Sequence, residues 1–339
     1  MISKIIPEEK IIACLKAINK ASKILIISHK GPDGDSIGSS LALYNFLVSQ
    51  GKDTWIMIPD EAPGRLMFLP GSDNIIVFEN DEQQAADLLK SCDLLFCLDF
   101  NEPKRAGKAG TYIINSKARK VMVDHHPDPD NFADIIISHP EICATSELVF
   151  RIICRMGYFP EMNKETAECI CAGMLSDTGG LAYNSNNPEL YTIFTELLKK
   201  GVDKDDIYRR VITTSSENRL RLMGHFLLNC MKVYPEAGWA VSCMSAKDLK
   251  KFGYRTGDTD GLVNLPLQIP EINCSVFVRE DNGCVKLSFR SKGGFAVNEI
   301  ASKLFNGGGH KNAAGAESAD SMEEIVQKLE QYMDKHISD

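Results

Sequence analysis

No apolar run in the 339 residues approaches the ~18 needed to cross a bilayer, and Met1-Ile2-Ser3-Lys4 leads into Pro7-Glu8-Glu9-Lys10 rather than into a signal-peptide core. Positive charge is in deficit. The 38 Lys and Arg are outnumbered by 46 Asp and Glu, and a net charge of −8 excludes a protein that coats nucleic acid along its whole length. Aromatic residues make up only 8%, with few placed for serial base stacking, which argues against a long single-strand track. No C-x-x-C pair occurs. The eleven cysteines are odd in number and scattered, and Cys169-x-Cys171 has the wrong spacing for a zinc knuckle. Cys97, Cys154 and Cys230 sit inside apolar runs, where a thiol acts as a small hydrophobe. These absences predict a reduced, cytoplasmic protein without a membrane anchor. There is no G-x-x-x-x-G-K-[ST], which excludes a P-loop NTPase, and no G-x-G-x-x-G after the first predicted strand, which disfavours a dinucleotide-binding dehydrogenase.

What is present is ordinary globular material, 44% apolar and 25% charged, long enough for two domains. The first half alternates strand and helix signals. Lys23–Ser28, Thr54–Ile58, Asn74–Phe78, Asp93–Leu98, Arg119–Val123 and Asp134–Ile137 read as strands between helical stripes. Repeated β-α units predict a parallel sheet with helices on both faces. The last third reads as a smaller α+β segment with strands at Ala240–Cys243, Ile272–Val278 and Val285–Phe289. The polar stretch from Gly201 to Thr213 reads as a linker, and Thr214-x-x-Glu217 as a capping box opening a helix through Leu220, Met223 and Leu227. The predicted plan is a catalytic domain over 1–200, a linker over 201–219 and a second domain over 220–339.

The polar residues fall in a pattern. Strand Lys23–Ser28 runs into His29, Asp33 and Asp35, strand Asp93–Leu98 ends at Asp99, and strand Arg119–Val123 ends at Asp124-His125-His126. The carboxyl edge of an open parallel sheet is where ligands bind, so residues distant in sequence meet there. Asp177 joins from the end of a helix, where Gly179-Gly180 releases the chain. Several carboxylates in one pocket repel one another, and divalent cations supply the compensation. Imidazole and carboxylate without thiolate favour Mn²⁺ or Mg²⁺. The count suits two ions, one on His29, Asp33 and Asp99 and one on Asp35, Asp99, His125 and Asp177, with Asp99 shared. Two cations ~3.5–4 Å apart clamp an in-line phosphoryl displacement. Each motif by itself has a bland explanation as a turn, a cap or a surface pair. Their coincidence at three strand ends outweighs those explanations.

The same residues resemble the DHH phosphoesterase family. The motifs are His29-x-x-Pro32-Asp33-x-Asp35-x-x-Gly38-Ser39, then Asp99, then Val123-Asp124-His125-His126-Pro127, then Ser176-Asp177-Thr178-Gly179. The last third resembles the associated DHHA1 domain through Phe289-Arg290-Ser291 and Gly307-Gly308-Gly309-His310-Lys311-Asn312-Ala313-Ala314-Gly315. Size and two-domain plan are similar to the nanoRNase/pAp-phosphatase branch. The resemblance implies the same two-ion ligand set, usually with Mn²⁺. It implies that Asp124 orients a ligand imidazole and that His126 faces the substrate phosphate, so Asp99, Asp124 and His126 are the expected catalytic residues. Arg105 is a further phosphate-contact candidate.

In the second domain Arg290 leaves its strand on a polar, basic face, and three glycines let the backbone approach an anion. Cys284–Lys311 carries five basic residues against one Glu. Arg290, Ser291, Gly308, Gly309 and His310 are therefore the expected substrate-binding set. The expected activity is hydrolysis of short oligoribonucleotides to mononucleotides and of 3′-phosphoadenosine 5′-phosphate to AMP and phosphate. A phosphodiesterase for cyclic di-AMP or pApA is the alternative on the same scaffold, and a non-catalytic nucleotide or RNA binder is the reading from another class. Short RNA or nucleotide phosphates are the expected partners, not long duplex DNA or membrane, and a homodimer is compatible with the sequence.

Overall fold

The apolar runs of the first half form a sheet, its inner strands Ile24–Ile27 and Leu94–Leu98 buried on both sides. The strands are β1 (Ile24–Ile27), β2 (Thr54–Ile58), β3 (Ile75–Val77), β4 (Leu94–Leu98), β5 (Arg119–Asp124) and β6 (Ile135–Ser138). Every pair is parallel, in the order β3-β2-β1-β4-β5-β6. In β1, Ile24 and Ile26 enter one core and Leu25 and Ile27 the other. Full burial of such a side chain contributes about 1.5–3 kcal/mol, an upper figure because the unfolded chain is partly collapsed. The order of strands reverses between β1 and β4, so loops diverge there and leave a crevice. The computed structural model describes residues 2–281 and 283–336.

The helices of this unit are α1 (Glu8–Lys20), α2 (Gly34–Ser49), α3 (Glu82–Ser91), α4 (Ala109–Asn115), α5 (Thr145–Arg155), α6 (Lys164–Asp177), α7 (Pro188–Lys199) and α8 (Lys204–Tyr208). Residues of α2, α5 and α6, among them Leu41, Leu148 and Ile170, build the larger core. Ala85, Leu89 and Ile113 of α3 and α4 build the smaller one on the other sheet face. α2 and α6 are the elements that matter for chemistry, because Asp35 and Asp177 lie on them. They approach closely through Gly38, whose added Cβ would stand 2.7 Å from Cys169 O and 2.8 Å from Gly173 N.

The chain divides after Thr214. This moves the boundary expected at 200 and shortens the expected linker over 201–219. Residues 204–213 are helical, as α8 and a π-turn, and Ile207 and Val211 are buried in the first core. These two side chains stand four apart and make an apolar stripe that the surrounding charges disguise.

The second unit holds β7 (Met231–Tyr234), β8 (Trp239–Met244), β9 (Cys274–Asp281), β10 (Cys284–Ser291), β11 (Gly308–His310) and β12 (Ala313–Ser318), in the order β11-β12-β10-β9-β8-β7. All neighbours are antiparallel except β8 and β9. α11 (Val297–Phe305) and α12 (Met322–His336) cover one face through Ile300, Ala301, Ile325 and Leu329. α9 (Glu217–His225) and α10 (Ala246–Lys251) contribute Leu222 and Leu249 to a smaller cluster with Phe277. α9 begins two residues later than expected. Ser216, not Thr214, is its cap, accepting from Arg219 N, and the buried stripe is Leu222 and Phe226, while Leu220 and Leu227 are exposed. The triple glycine, expected to let the backbone approach an anion, runs into β11. Gly307 and Gly309 are needed because added Cβ atoms would stand 2.3 Å from Gly315 O and 2.5 Å from Ala313 O. Among the described residues no helix is long and apolar enough to cross a membrane, and all eleven cysteines are free thiols.

Candidate metal centre

Three strands and two helices deliver the polar residues. β1 ends at Ile27, and Ser28 leads to His29. Asp33 then caps α2, its Oδ1 accepting from the amides of Asp35 and Ser36 at 3.0 Å each. Asp33 therefore serves as a helix cap and stands in the cluster as well. Asp35 follows in the first turn of α2. Asp99 comes directly after β4 with φ +65°, a left-handed conformation that costs about 1–3 kcal/mol for a residue other than glycine. Asp124 ends β5, His125 and His126 follow it, and Asp177 is the last residue of α6.

The structure brings all six expected metal-ligating residues together. His29, Asp33 and Asp99 form one group able to hold an ion, and Asp35, His125 and Asp177 a second. His29 Nε2 lies 3.4 Å from Asp99 Oδ2 and 3.9 Å from Asp33 Oδ1. His125 Nε2 lies 3.1 Å from Asp177 Oδ2, 3.6 Å from Asp99 Oδ1 and 4.0 Å from Asp35 Oδ2. Asp99 thus turns one carboxylate oxygen toward each group. Both imidazoles are oriented for this. His29 Nδ1 is 2.9 Å from Lys30 O, and His125 Nδ1 is 3.2 Å from Ile142 O. A carbonyl only accepts, so each Nδ1 carries a proton and each Nε2 is turned to the carboxylates, which it meets through a second proton without a cation and beside which its lone pair would serve a bound cation.

One expected role changes hands. Asp124 holds the imidazole of His126, which is not one of the expected ligands. Its Oδ1 lies 2.8 Å from His126 Nδ1, and its Oδ2 accepts from His126 N at 3.1 Å. The two-residue offset lets the carboxylate clamp ring and main chain of His126 at once. Arg105 is near the site, its carbonyl accepting from Lys30 N at 2.7 Å. Its charge also works against protonation of His29.

In the second unit, Arg290 and His310 face Ala313 from opposite sides in adjacent ladders, so their side chains leave the same sheet face. Val285, Leu287 and Phe289 enter the core from the other face. Ser291 Oγ donates to Phe295 O at 2.6 Å and accepts from Asn312 Nδ2 at 2.8 Å, which ties down the turn after β10. Gly308 and Gly309 lie in β11, paired with Gly315 and Ala314.

Main-chain donors and neighbouring side chains were beyond sequence reasoning. The amides of Thr145 and Ser146 bind Asp35, the Thr145 hydroxyl binds Asp99, and Asp60 accepts from Gly31 N at 2.7 Å. A main-chain amide leaves no signature in residue type. The pentapeptide Gly34-Asp35-Ser36-Ile37-Gly38 also has the G-x-S-x-G spelling of a serine-hydrolase elbow. It lies inside α2 with Ser36 wholly buried, so it offers no exposed nucleophile.

The donor set fits divalent cations. Burial, then the charges of Asp99 and Asp177, push the Asp35 carboxyl well above the usual carboxylate range. Burial also leads in raising Asp177. Burial opposes the charged form of His29, yet the hydrogen bond to Asp99 and the charge of Asp33 win and push it up to about 9. For His125 burial again opposes, and Asp177 dominates the upward result. The pocket has more negative charge than its own imidazoles comfortably balance, which is the condition a cation relieves.

A pH dependence follows for cation-free protein. A histidine raised in the folded state stabilises it fully below the unfolded value near 6.5, and that contribution is lost as pH rises through about 9. The raised carboxyls of Asp35 and Asp177 act in the same direction. Tm of the cation-free chain is expected to fall between pH 6.5 and 9, with His29 alone worth on the order of 3 kcal/mol. Added Mn²⁺ is expected to raise Tm more at pH 8.5 than at pH 6. Scanning calorimetry across that range, with and without the ion, checks both signs.

Comparison with known proteins agrees with this geometry. The DHH family N-terminal domain model matches residues 23–174, and the DHHA1 domain model matches residues 237–335. The bifunctional oligoribonuclease and PAP phosphatase NrnA of Thermus thermophilus is 32% identical over 305 residues, covering 89% of this chain and 85% of that protein. The cyclic-di-AMP phosphodiesterase GdpP of Bacillus subtilis is 24% identical over 340 residues, covering 96% of this chain and 49% of that protein. The crystal structure of an exopolyphosphatase-related protein from Bacteroides fragilis is 48% identical, with a TM-score of 0.94 and 99% of each chain covered. Ordered motifs, a shared fold and identity over most of the length coincide, and the chain belongs to the DHH phosphoesterase family, with a DHHA1 domain after its DHH domain.

Proposed function

We propose that this phosphoesterase uses two divalent cations to hydrolyse short oligoribonucleotides to mononucleotides and 3′-phosphoadenosine 5′-phosphate to AMP and phosphate. The observation that carries the two-cation part is Asp99, with Oδ2 toward His29 and Oδ1 toward His125. In this reading His29, Asp33 and Asp99 hold one cation, and Asp35, Asp99, His125 and Asp177 hold the other. An imidazole in each set supports Mn²⁺ over Mg²⁺. Bound cations supply positive charge at the phosphoryl oxygens and a more acidic water.

The chain's own groups do the rest. Asp124, wholly buried, accepts the Nδ1 proton of His126 and fixes the orientation of its ring. Nε2 of His126 then addresses the phosphate, stabilising its charge or protonating the leaving oxygen. Arg105, Arg290 and His310 supply cationic or donor contacts to phosphate oxygens, with Arg290 offering a planar fork. Ser291, Gly308 and Gly309 shape the backbone around Arg290 and His310. The substrate choice is supported by the relative named an oligoribonuclease and PAP phosphatase, which aligns along most of its length. Eleven free thiols support a reducing compartment, and the cytoplasm is our assignment. The relative named a cyclic-di-AMP phosphodiesterase supports the second reading, but this chain spans about half of its length.

Side-by-side turnover of an RNA pentamer, pApA, 3′-phosphoadenosine 5′-phosphate and cyclic di-AMP, each with Mn²⁺ and with Mg²⁺, tests the proposal. Hydrolysis of the pentamer and of 3′-phosphoadenosine 5′-phosphate, at rates at least about tenfold above cyclic di-AMP, is expected. Preference for cyclic di-AMP would install the second reading, and no turnover of any phosphoester would reject both.

A further inference from the structure

Asp35 and Asp99 come from different elements, yet both are gripped by the same residue. α5 begins after Ala144, which has no side chain able to cap a helix. Its first amides go instead to a carboxylate from α2. Thr145 N donates to Asp35 Oδ2 at 2.6 Å and Ser146 N donates to Asp35 Oδ1 at 2.9 Å. The Thr145 hydroxyl donates to Asp99 Oδ1 at 3.0 Å. Thr145 and Asp35 are wholly buried and Asp99 nearly so, which leaves these side chains little freedom to find other partners.

The two oxygens of Asp99 are not treated alike. Oδ1 takes the hydroxyl and faces His125 Nε2 at 3.6 Å, while Oδ2 faces His29 Nε2 at 3.4 Å. The terminal torsion of an aspartate is soft and broad, so a carboxylate without a fixed donor swings readily. A donor on one oxygen sets the plane of the group.

We propose that Thr145 is a positioning residue whose hydroxyl holds Asp99 in its shared orientation and fixes Oδ1 toward the group formed by Asp35, His125 and Asp177. This rests on the two-cation reading and deepens it, by assigning the second site's geometry to a residue outside both ligand sets. The hydroxyl acts on one side of Asp99 only, so its loss falls unequally on the two ions. The amide bonds to Asp35 belong to the main chain and survive any side-chain substitution at 145.

The test is Mn²⁺ titration of the full chain by calorimetry and by electron paramagnetic resonance of free Mn²⁺. Wild type is compared with Thr145→Val, which keeps the shape and removes the donor, and with Thr145→Ser, which keeps the donor. Wild type is expected to bind two ions. T145V is expected to keep one at wild-type affinity and to weaken the other by about 10–100-fold, the usual effect of removing a ligand's hydrogen-bond partner. T145S is expected to restore it. Equal weakening at both sites, no weakening, a T145V chain that does not fold, or no restoration by serine overturns the inference and leaves the two-cation reading standing. Fewer than two ions on wild type overturns both.

Discussion

Asp99→Asn lowers phosphoester hydrolysis by more than about 10²-fold while the chain stays folded. The size follows from comparison, because removing a partner of a ligand already costs about 10–100-fold, and Asp99 itself faces both groups. Asparagine replaces one acceptor oxygen by an amide that donates. Whichever way the side chain turns, one of the two groups then meets N–H where it had a lone pair. The neutral amide also withdraws the charge that holds His29 protonated in the cation-free state. The fold is spared because Asp99 has φ +65°, and asparagine tolerates the left-handed region about as well as aspartate. Circular dichroism is therefore expected to stay near wild type, while kcat on an RNA pentamer collapses with Mn²⁺. Undiminished hydrolysis would remove Asp99 from the centre of the site.

Gly38→Val costs the first unit about 3 kcal/mol or more and weakens ion binding with it. In an open helix position, replacing glycine with a side-chain residue such as alanine stabilises by about 0.5–1 kcal/mol. Here the opposing term is larger. A Cβ at residue 38 would stand 2.7–2.9 Å from main-chain atoms of Cys169 and Gly173, and backbone does not step aside as a long side chain would. Overpacking costs about 1–3 kcal/mol, occasionally more, and valine adds two further methyl groups. α2 and α6 must move apart, and with them Asp35 and Asp177. Tm is expected to fall by about 2–4 °C for each kcal/mol in a unit of this size. Gly224→Ala in α9 is the control. Its Cβ would meet nothing within 4 Å, so a small gain in Tm is expected there. A Gly38→Val chain with unchanged Tm would show that the helices have slack that the structure does not display.

Much of the site was legible in the sequence because the folding rule behind it is simple. Runs such as Ile24–Ile27 and Leu94–Leu98 are apolar on both faces, so they become inner strands, and whatever follows them arrives at one edge. His29, Asp99 and His125 were placed together on that ground. Over residues 204–213 charge density hides the spacing of Ile207 and Val211, so the segment reads as a linker. α9 was turned on its axis because Leu220, Leu222, Leu227 and Leu228 allow more than one apolar stripe, and only packing against Phe277 selects Leu222 and Phe226. The triple glycine reads as room for a backbone to approach an anion, and the structure adds close approach to β12 as a reason for Gly307 and Gly309.

Residue type and order by themselves determined the parallel sheet and the edge on which the acids and imidazoles gather. Only the tertiary structure decided which imidazole Asp124 clamps, which oxygen of Asp99 faces which group, and that Thr145 grips both Asp35 and Asp99. The reason is directional. Burial and periodicity depend on composition along a segment, which a sequence displays. A hydrogen bond depends on where a main-chain amide or a single lone pair points, and that direction exists only once distant segments have packed.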